Sequence, residues 1–180
     1  SYKAEVIEFG EPGGMMDQYS TAVGNLIYIE SEPTISIEKL QSKLGDFVLG
    51  DSLESKDTFR ILARCRDARL RIFSKIIQLN KDFDLHSYKD NLDLSMLNEH
   101  EKSLFKCTIR NKEILEKAKL ELKKKELDHD FFGFLLNQHH KILRDQLNVS
   151  TAKIESMINA ANEAGAIGAK INGSGGGGCM

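Results

Sequence analysis

The sequence predicts an α+β chain in which short strands lead, four helices follow, and a last strand delivers a glycine-rich loop. Three observations predict it. Brief apolar runs early in the chain are bounded by glycine and proline. Later stretches place apolar residues at three- and four-residue steps, and a run of small residues ends in four consecutive glycines.

Residues 4–9 alternate weakly between apolar and polar and are closed by the glycine- and proline-rich residues 10–14, so they read as a strand or extended lead-in. Residues 25–30, between Gly24 and Pro33, and residues 47–49, between Gly45 and Gly50, read as strands. Polar residues cluster with Pro33 across residues 32–41, which predicts a domain boundary and two units, 1–40 and 41–180. From residue 56 to about 79, Phe59, Leu62, Cys65, Ile72, Phe73 and Ile76 form one apolar stripe, with Ser55 as the expected N-cap. A second helix, residues 99–125, sets Leu104, Thr108, Leu115, Ala118 and Leu122 opposite a face of lysine and glutamate. The third, residues 130–147, aligns Leu136, His140, Leu143 and Leu147. Ser150 caps the fourth, which buries Ile154, Met157, Ile158 and Ala161 and ends at Gly165 in a left-handed turn. Residues 166–171 are strand-like and run directly into residues 172–178.

Composition bounds the function. With 180 residues, 41% hydrophobic and 29% charged, the chain can bury one core, or one core and part of another. No apolar run approaches the roughly 18–20 residues of a membrane span, and no basic flank followed by an apolar leader opens the sequence, so a cytoplasmic protein is expected. Cys65, Cys107 and Cys179 are odd in number and widely spaced, which suggests neither a disulfide framework nor a zinc site. A net charge of −2 gives no general attraction to nucleic acid or anionic lipid. An anionic ligand must therefore be held locally.

The glycine run is the first candidate for such a hold. Consecutive glycines after a strand can turn with positive φ and press backbone N–H groups against a phosphate. By pattern alone a flexible tail is the commoner reading. Asp17, after the glycine turn at 13–14, is by pattern a helix cap. His139 and His140 diverge by about 100° on a helix and cannot chelate one metal, and His140 reads as a packed core histidine. The arginines at 60, 64, 66, 69 and 71 read as a solvated or ion-paired face, and Cys179 as a packing residue rather than a nucleophile.

Three blocks carry a family resemblance. Residues 165–179, Gly-Ala-Ile-Gly-Ala-Lys-Ile-Asn-Gly-Ser-Gly-Gly-Gly-Gly-Cys, resemble the third motif of GHMP kinases. Residues 132–143 with Val149 and Ser150 resemble the galactokinase stretch that precedes it. Gly14-Met15-Met16-Asp17-Gln18 resembles the Gly-x-Met-Asp-Gln segment. The upstream Pro-x-x-x-Gly-Leu-Ser-Ser-Ser loop has no counterpart, since neither Pro12 nor Pro33 begins such a run. The resemblance therefore implies a piece of a longer enzyme, inactive by itself.

What the resemblance implies is a galactokinase-like GHMP fold, with residues 1–40 ending the N-terminal domain and 41–180 forming most of a ferredoxin-like C-terminal domain. The implied reaction transfers the γ-phosphoryl group of Mg·ATP to a sugar hydroxyl, the anomeric one. A non-sugar alcohol as acceptor, or a non-catalytic sensor of sugar and ATP, is the alternative. Asp17 would face the reacting hydroxyl as base or orienting partner; Gly14 and Ser52 would lie near the substrate. Gly173, Ser174, Gly175, Gly176, Gly177 and Gly178 would lie beside the ATP phosphates, with the Mg²⁺ ligands mostly outside these residues. Sugar and ATP are the expected partners, without nucleic acid or membrane.

Overall fold

The computed structural model describes residues 3–8, 14–31, 34–85 and 92–180. Its elements are a π-helical segment at Lys3–Ile7, then α1 (Met16–Val23), β1 (Leu26–Glu30), β2 (Ser36–Leu40), α2 (Thr58–Leu79), α3 (Glu99–Leu122), α4 (His129–Asp145) and α5 (Ala152–Glu163). This is the expected α+β order. The four long helices fall where periodicity predicts them, while the strands differ.

The four helices begin on side chains that accept from the first turn's orphan N–H groups. Asn98 accepts from Glu101 N while Glu101 accepts from Asn98 N, a reciprocal box at the start of α3. Asp57, Asp128 and Thr151 cap α2, α4 and α5. The expected caps Ser55 and Ser150 are thus displaced by residues nearer the first turn. Asp57 reaches Arg60 N at 2.9 Å, and the Ser150 hydroxyl is engaged by Glu155. Gly165 does follow α5 with φ +96°. In α3 the buried side is set by Phe105, Cys107, Ile114 and Leu122, so Leu115, expected inside, is exposed.

Two cores result. Ile72 and Ile76 of α2 meet Leu97 and Phe105, with Phe73 and Phe83 completing an aromatic group around Phe105. The second core joins Ile154 and Ile158 of α5 to Ala169 and Ile171, flanked by Leu143 and Met180. This second core lies directly under the chain that enters the glycine loop. Fully burying a side chain such as Ile154 or Ile171 stabilises by about 1.5–3 kcal/mol.

The long sheet element is a hairpin that the sequence only half predicts. β1 pairs antiparallel with β2, Leu26 opposite Leu40 and Glu30 opposite Ser36. β2 lies within the polar stretch where a boundary is expected. Its Glu38 bridges Lys123 at 2.6 Å and Lys119 at 3.2 Å, and the Lys119 ammonium sits 3.5 Å above the Tyr28 ring. The hairpin is thereby fastened to the last turn of α3.

Three strand expectations are corrected. Residues 3–7 are π-helical and join no strand ladder among the described residues; residues 9–13 lie outside the described residues. Phe47, Val48 and Leu49 are exposed and unpaired as a ladder. Pairing begins at Gly50, which exchanges hydrogen bonds with Met180, and includes the Asp51–Cys179 bridge. Residues 166–171 run without a strand partner. Two of their N–H groups are taken by side chains of α4 instead, Ala169 N by Asn137 Oδ1 at 2.9 Å and Ile171 N by His140 Nδ1 at 3.2 Å.

The seam between α4 and this run is tight. A Cβ on Gly133 would come within 2.6 Å of Ile167 O, and one on Gly168 would overlap the Gly133 carbonyl. Two glycines let the backbones meet.

Candidate functional site

Residues 173–178 form a closed loop because Asn172 N donates to Cys179 O at 2.8 Å across its base. Gly173, Gly175, Gly176, Gly177 and Gly178 all have φ between +66° and +123°, a region that costs an L side chain about 1–2 kcal/mol per residue. The loop is therefore no flexible tail. It is clamped at two further points: Gly176 N donates to Val149 O at 2.6 Å, and Gly178 N to Glu54 O at 3.2 Å. Gly178 O in turn accepts from Ser52 N at 2.8 Å.

Side chains hold these clamps in place. Glu54 accepts from the Thr151 hydroxyl, which ties the segment after Gly50 to the start of α5. On the other side, Glu155 accepts from Ser150 Oγ, from His140 Nε2 at 2.9 Å and from Arg144 Nη1 at 3.2 Å. Because His140 Nδ1 accepts from Ile171 N, its ring carries the proton on Nε2 and donates it to Glu155. Burial alone would raise the Glu155 carboxyl, but the bonds from Ser150, His140 and Arg144 outweigh it and hold the group below its ordinary range. The expected core histidine is buried, at 4% exposure, and it is also the strut beneath the segment that enters the loop. Next to it, burial, then the charge of Lys170, push His139 down to about 4. Burial likewise lowers Lys170, whose ammonium donates to Ile171 O at 2.8 Å.

The N–H groups of Ser174, Gly175 and Gly177 have no protein acceptor among the described residues. Beside them stands a cation that the sequence does not single out. The Lys56 ammonium would lie 3.5 Å from a Cβ on Gly173 and 3.2 Å from one on Gly178, so it touches both arms of the loop. Lys56 is exposed and makes no ion pair among the described residues. Free donors and a free ammonium gathered on a loop of positive φ can receive an anion of the phosphate class. In the sequence Lys56 sits in a polar run, Glu-Ser-Lys-Asp, and nothing local distinguishes it from a solvated lysine.

The expected site residues divide into two groups. Ser52 and the loop residues Gly173, Ser174, Gly175, Gly176, Gly177 and Gly178 form one hydrogen-bonded unit. Ser52 is fully buried, and its hydroxyl accepts from Glu54 N at 3.2 Å, so it backs the loop from inside. Gly14 and Asp17 belong to α1 and its lead-in, which packs on β1 and shares no hydrogen bond with the loop among the described residues. Asp17 is exposed in the first turn of α1. It is not the cap, a position held by Met15 without any side-chain bond, and its carboxylate makes no hydrogen bond among the described residues. Its carbonyl accepts from Ser20 Oγ at 3.1 Å.

Comparison with known proteins follows this division. Residues 124–180, which include α4, α5 and the loop, match the family described as GHMP kinases C terminal. The chain is similar to the mevalonate kinase of Thermococcus onnurineus, 49% identical over 71 residues, which are 37% of this chain and 21% of that enzyme. Over 179 residues it is 29% identical to the mevalonate kinase of Thermococcus gammatolerans, covering 99% of this chain and 45% of the relative. Among solved structures, Lactococcus lactis galactokinase complexed with galactose shares the fold, with a TM-score of 0.71 at 22% identity, covering 98% of this chain and 48% of the other. The chain thus spans less than half the length of these relatives. The region that matches the GHMP kinases C terminal family thus houses the loop and its struts, and the galactokinase fold is shared over nearly every residue of the chain.

Proposed function

We propose that the protein carrying this chain transfers the γ-phosphoryl group of ATP to a hydroxyl of a small-molecule alcohol, with a non-sugar alcohol of the mevalonate type as the first acceptor to test. The observation that carries the reading is the loop itself: three unclaimed N–H groups and the Lys56 ammonium on a backbone held rigid from both sides. Phosphoryl transfer asks a protein mainly for positioning and for charge placed in advance around the transferring group. Both are what such a loop supplies.

In this reading Lys56 and the loop donors hold the phosphates, and Asp17 faces the acceptor hydroxyl and orients it or takes its proton. Gly14, with open space where its Cβ would be, leaves room beside Asp17. ATP would arrive with Mg²⁺. Among the described residues no group of three or more His, Cys, Asp or Glu side chains gathers, so no Mg²⁺ site is assigned to them. The acceptor preference rests on the similar enzymes named mevalonate kinases, one of them 49% identical over 71 residues. It replaces the anomeric sugar hydroxyl, which the Met16-Asp17-Gln18 resemblance favours and which remains the second reading.

The test is ADP release by the full-length protein with mevalonate and with galactose in parallel. Turnover with mevalonate above that with galactose is expected, and Asp17→Asn should lower it by about 10²–10⁴-fold while ATP binding persists. Turnover with galactose alone would restore the sugar reading. ATP binding without turnover on either acceptor would leave a non-catalytic sensor and defeat the kinase reading.

A further inference from the structure

A second gathering of basic side chains lies on the face of α2 that packs toward α3 and the end of α4. There a cavity of about 120 Å³ is lined by Arg64, Cys65, Ala68, Arg69, His100, Leu104, Gln146, Leu147 and Asn148. No carboxylate lines it. The neighbouring basic residues have acidic partners: Arg66 has Asp67, Lys75 has Glu101, Lys102 has Glu99 and Arg110 has Glu113. Arg64 and Arg69 differ. Arg64 Nη2 donates to Leu147 O at 2.9 Å and to Asn148 O at 3.3 Å, and Arg69 donates to Thr108 Oγ1 at 3.2 Å and Cys65 O at 3.1 Å. Neutral acceptors hold the exposed Arg64 and the half-buried Arg69 guanidinium groups, and neither has a carboxylate partner among the described residues.

We propose that this cavity binds a small phosphate-class oxyanion, held by the Arg64 and Arg69 guanidinium groups with His100 at its rim. Two fixed forks with unspent charge suit a tetrahedral oxyanion, because their N–H groups are already oriented and little rotamer freedom is left to lose. The volume is far below the about 300–1,000 Å³ of pockets for drug-sized ligands, so it suits a group the size of phosphate. The site is separate from the glycine loop and does not depend on the kinase reading. Of the α2 arginines, Arg60, Arg64, Arg66 and Arg71 are exposed and Arg66 pairs with Asp67, as expected of a solvated or ion-paired face, whereas Arg69 is half-buried.

The experiment is an NMR titration of the full-length protein following the His100 ring signals, assigned with His100→Gln. Inorganic phosphate should shift them saturably in the millimolar range, whereas sodium chloride at matched ionic strength should not. Arg69→Gln should weaken the apparent affinity by about tenfold, about 1.4 kcal/mol, through loss of a charge-assisted hydrogen bond. Lys56→Gln, at the loop, should leave the titration unchanged. Ethyl phosphate as a parallel probe separates sources: tighter binding than inorganic phosphate points to a phosphate monoester, equal or weaker binding to the free ion. A response to chloride equal to that with phosphate, or no saturation, would overturn the proposal even if Arg69→Gln failed to fold. So would loss of the shift in Lys56→Gln, which would assign the anion to the loop.

Discussion

The glycine loop and the start of α1 carry the two halves of the proposed reaction, and they are held in opposite ways. The loop is fastened through its backbone at Glu54, Val149 and Asn172, over a core that contains Ile154 and Ile171 at zero exposure. α1 buries no residue fully, begins without a side-chain cap, and presents Asp17 to solvent. Charge that must be placed in advance around a phosphate sits on the rigid half. In the proposed reaction, the carboxylate that would meet a second substrate sits on α1, which has no side-chain cap and no buried residue.

Substitutions should separate the two halves sharply. The largest effect is expected for Gly175→Ala, where φ is +75° and a Cβ would overlap Val149 O. Strain and overpacking together should cost about 2–4 kcal/mol, read as a lower urea midpoint. Next, Glu155→Gln removes the charge on which Ser150, His140 and Arg144 converge and should cost about 2 kcal/mol in the same assay.

A pH series sharpens the comparison further. Below pH 6.5 the unfolded chain protonates His139, while the folded site, with its pKa at about 4, does not. The unfolded state then binds more protons, so stability should fall as pH drops from 6.5 toward 4, with the lowered Glu155 and Asp145 adding to the loss at the acid end. His139→Gln should flatten the decline between pH 6.5 and 4.5 in urea titrations. The smallest change is expected at the other half: Asp17→Asn should leave the urea midpoint within about 0.5 kcal/mol of the parent, since its carboxylate is exposed and makes no described bond. A large loss there would mean that α1 is held through Asp17 itself.

Much of the helical frame was legible in sequence because α2 to α5 repeat apolar residues at helical spacing, a local signal. Strands depended on partners far away in the chain. Phe47, Val48 and Leu49 satisfy every local criterion for a strand, yet the pairing falls on residues 50–52, opposite 178–180. Residues 166–171 look like a strand and find side chains of α4 rather than another strand. The glycine loop could be read as a motif, but its rigidity could not, since that depends on Val149 and Glu54 carbonyls. Lys56 was illegible for the same reason: only the fold brings it to residues 173 and 178.

The meeting of Gly133 and Gly168 sets how faithfully movement passes through the molecule. Side chains elsewhere act as a cushion that can shift by a few tenths of an ångström; at this joint there is no cushion. A tilt of α4 must be handed on, undamped, to the run that ends at Asn172. The aim of the loop is thereby geared to the orientation of one helix.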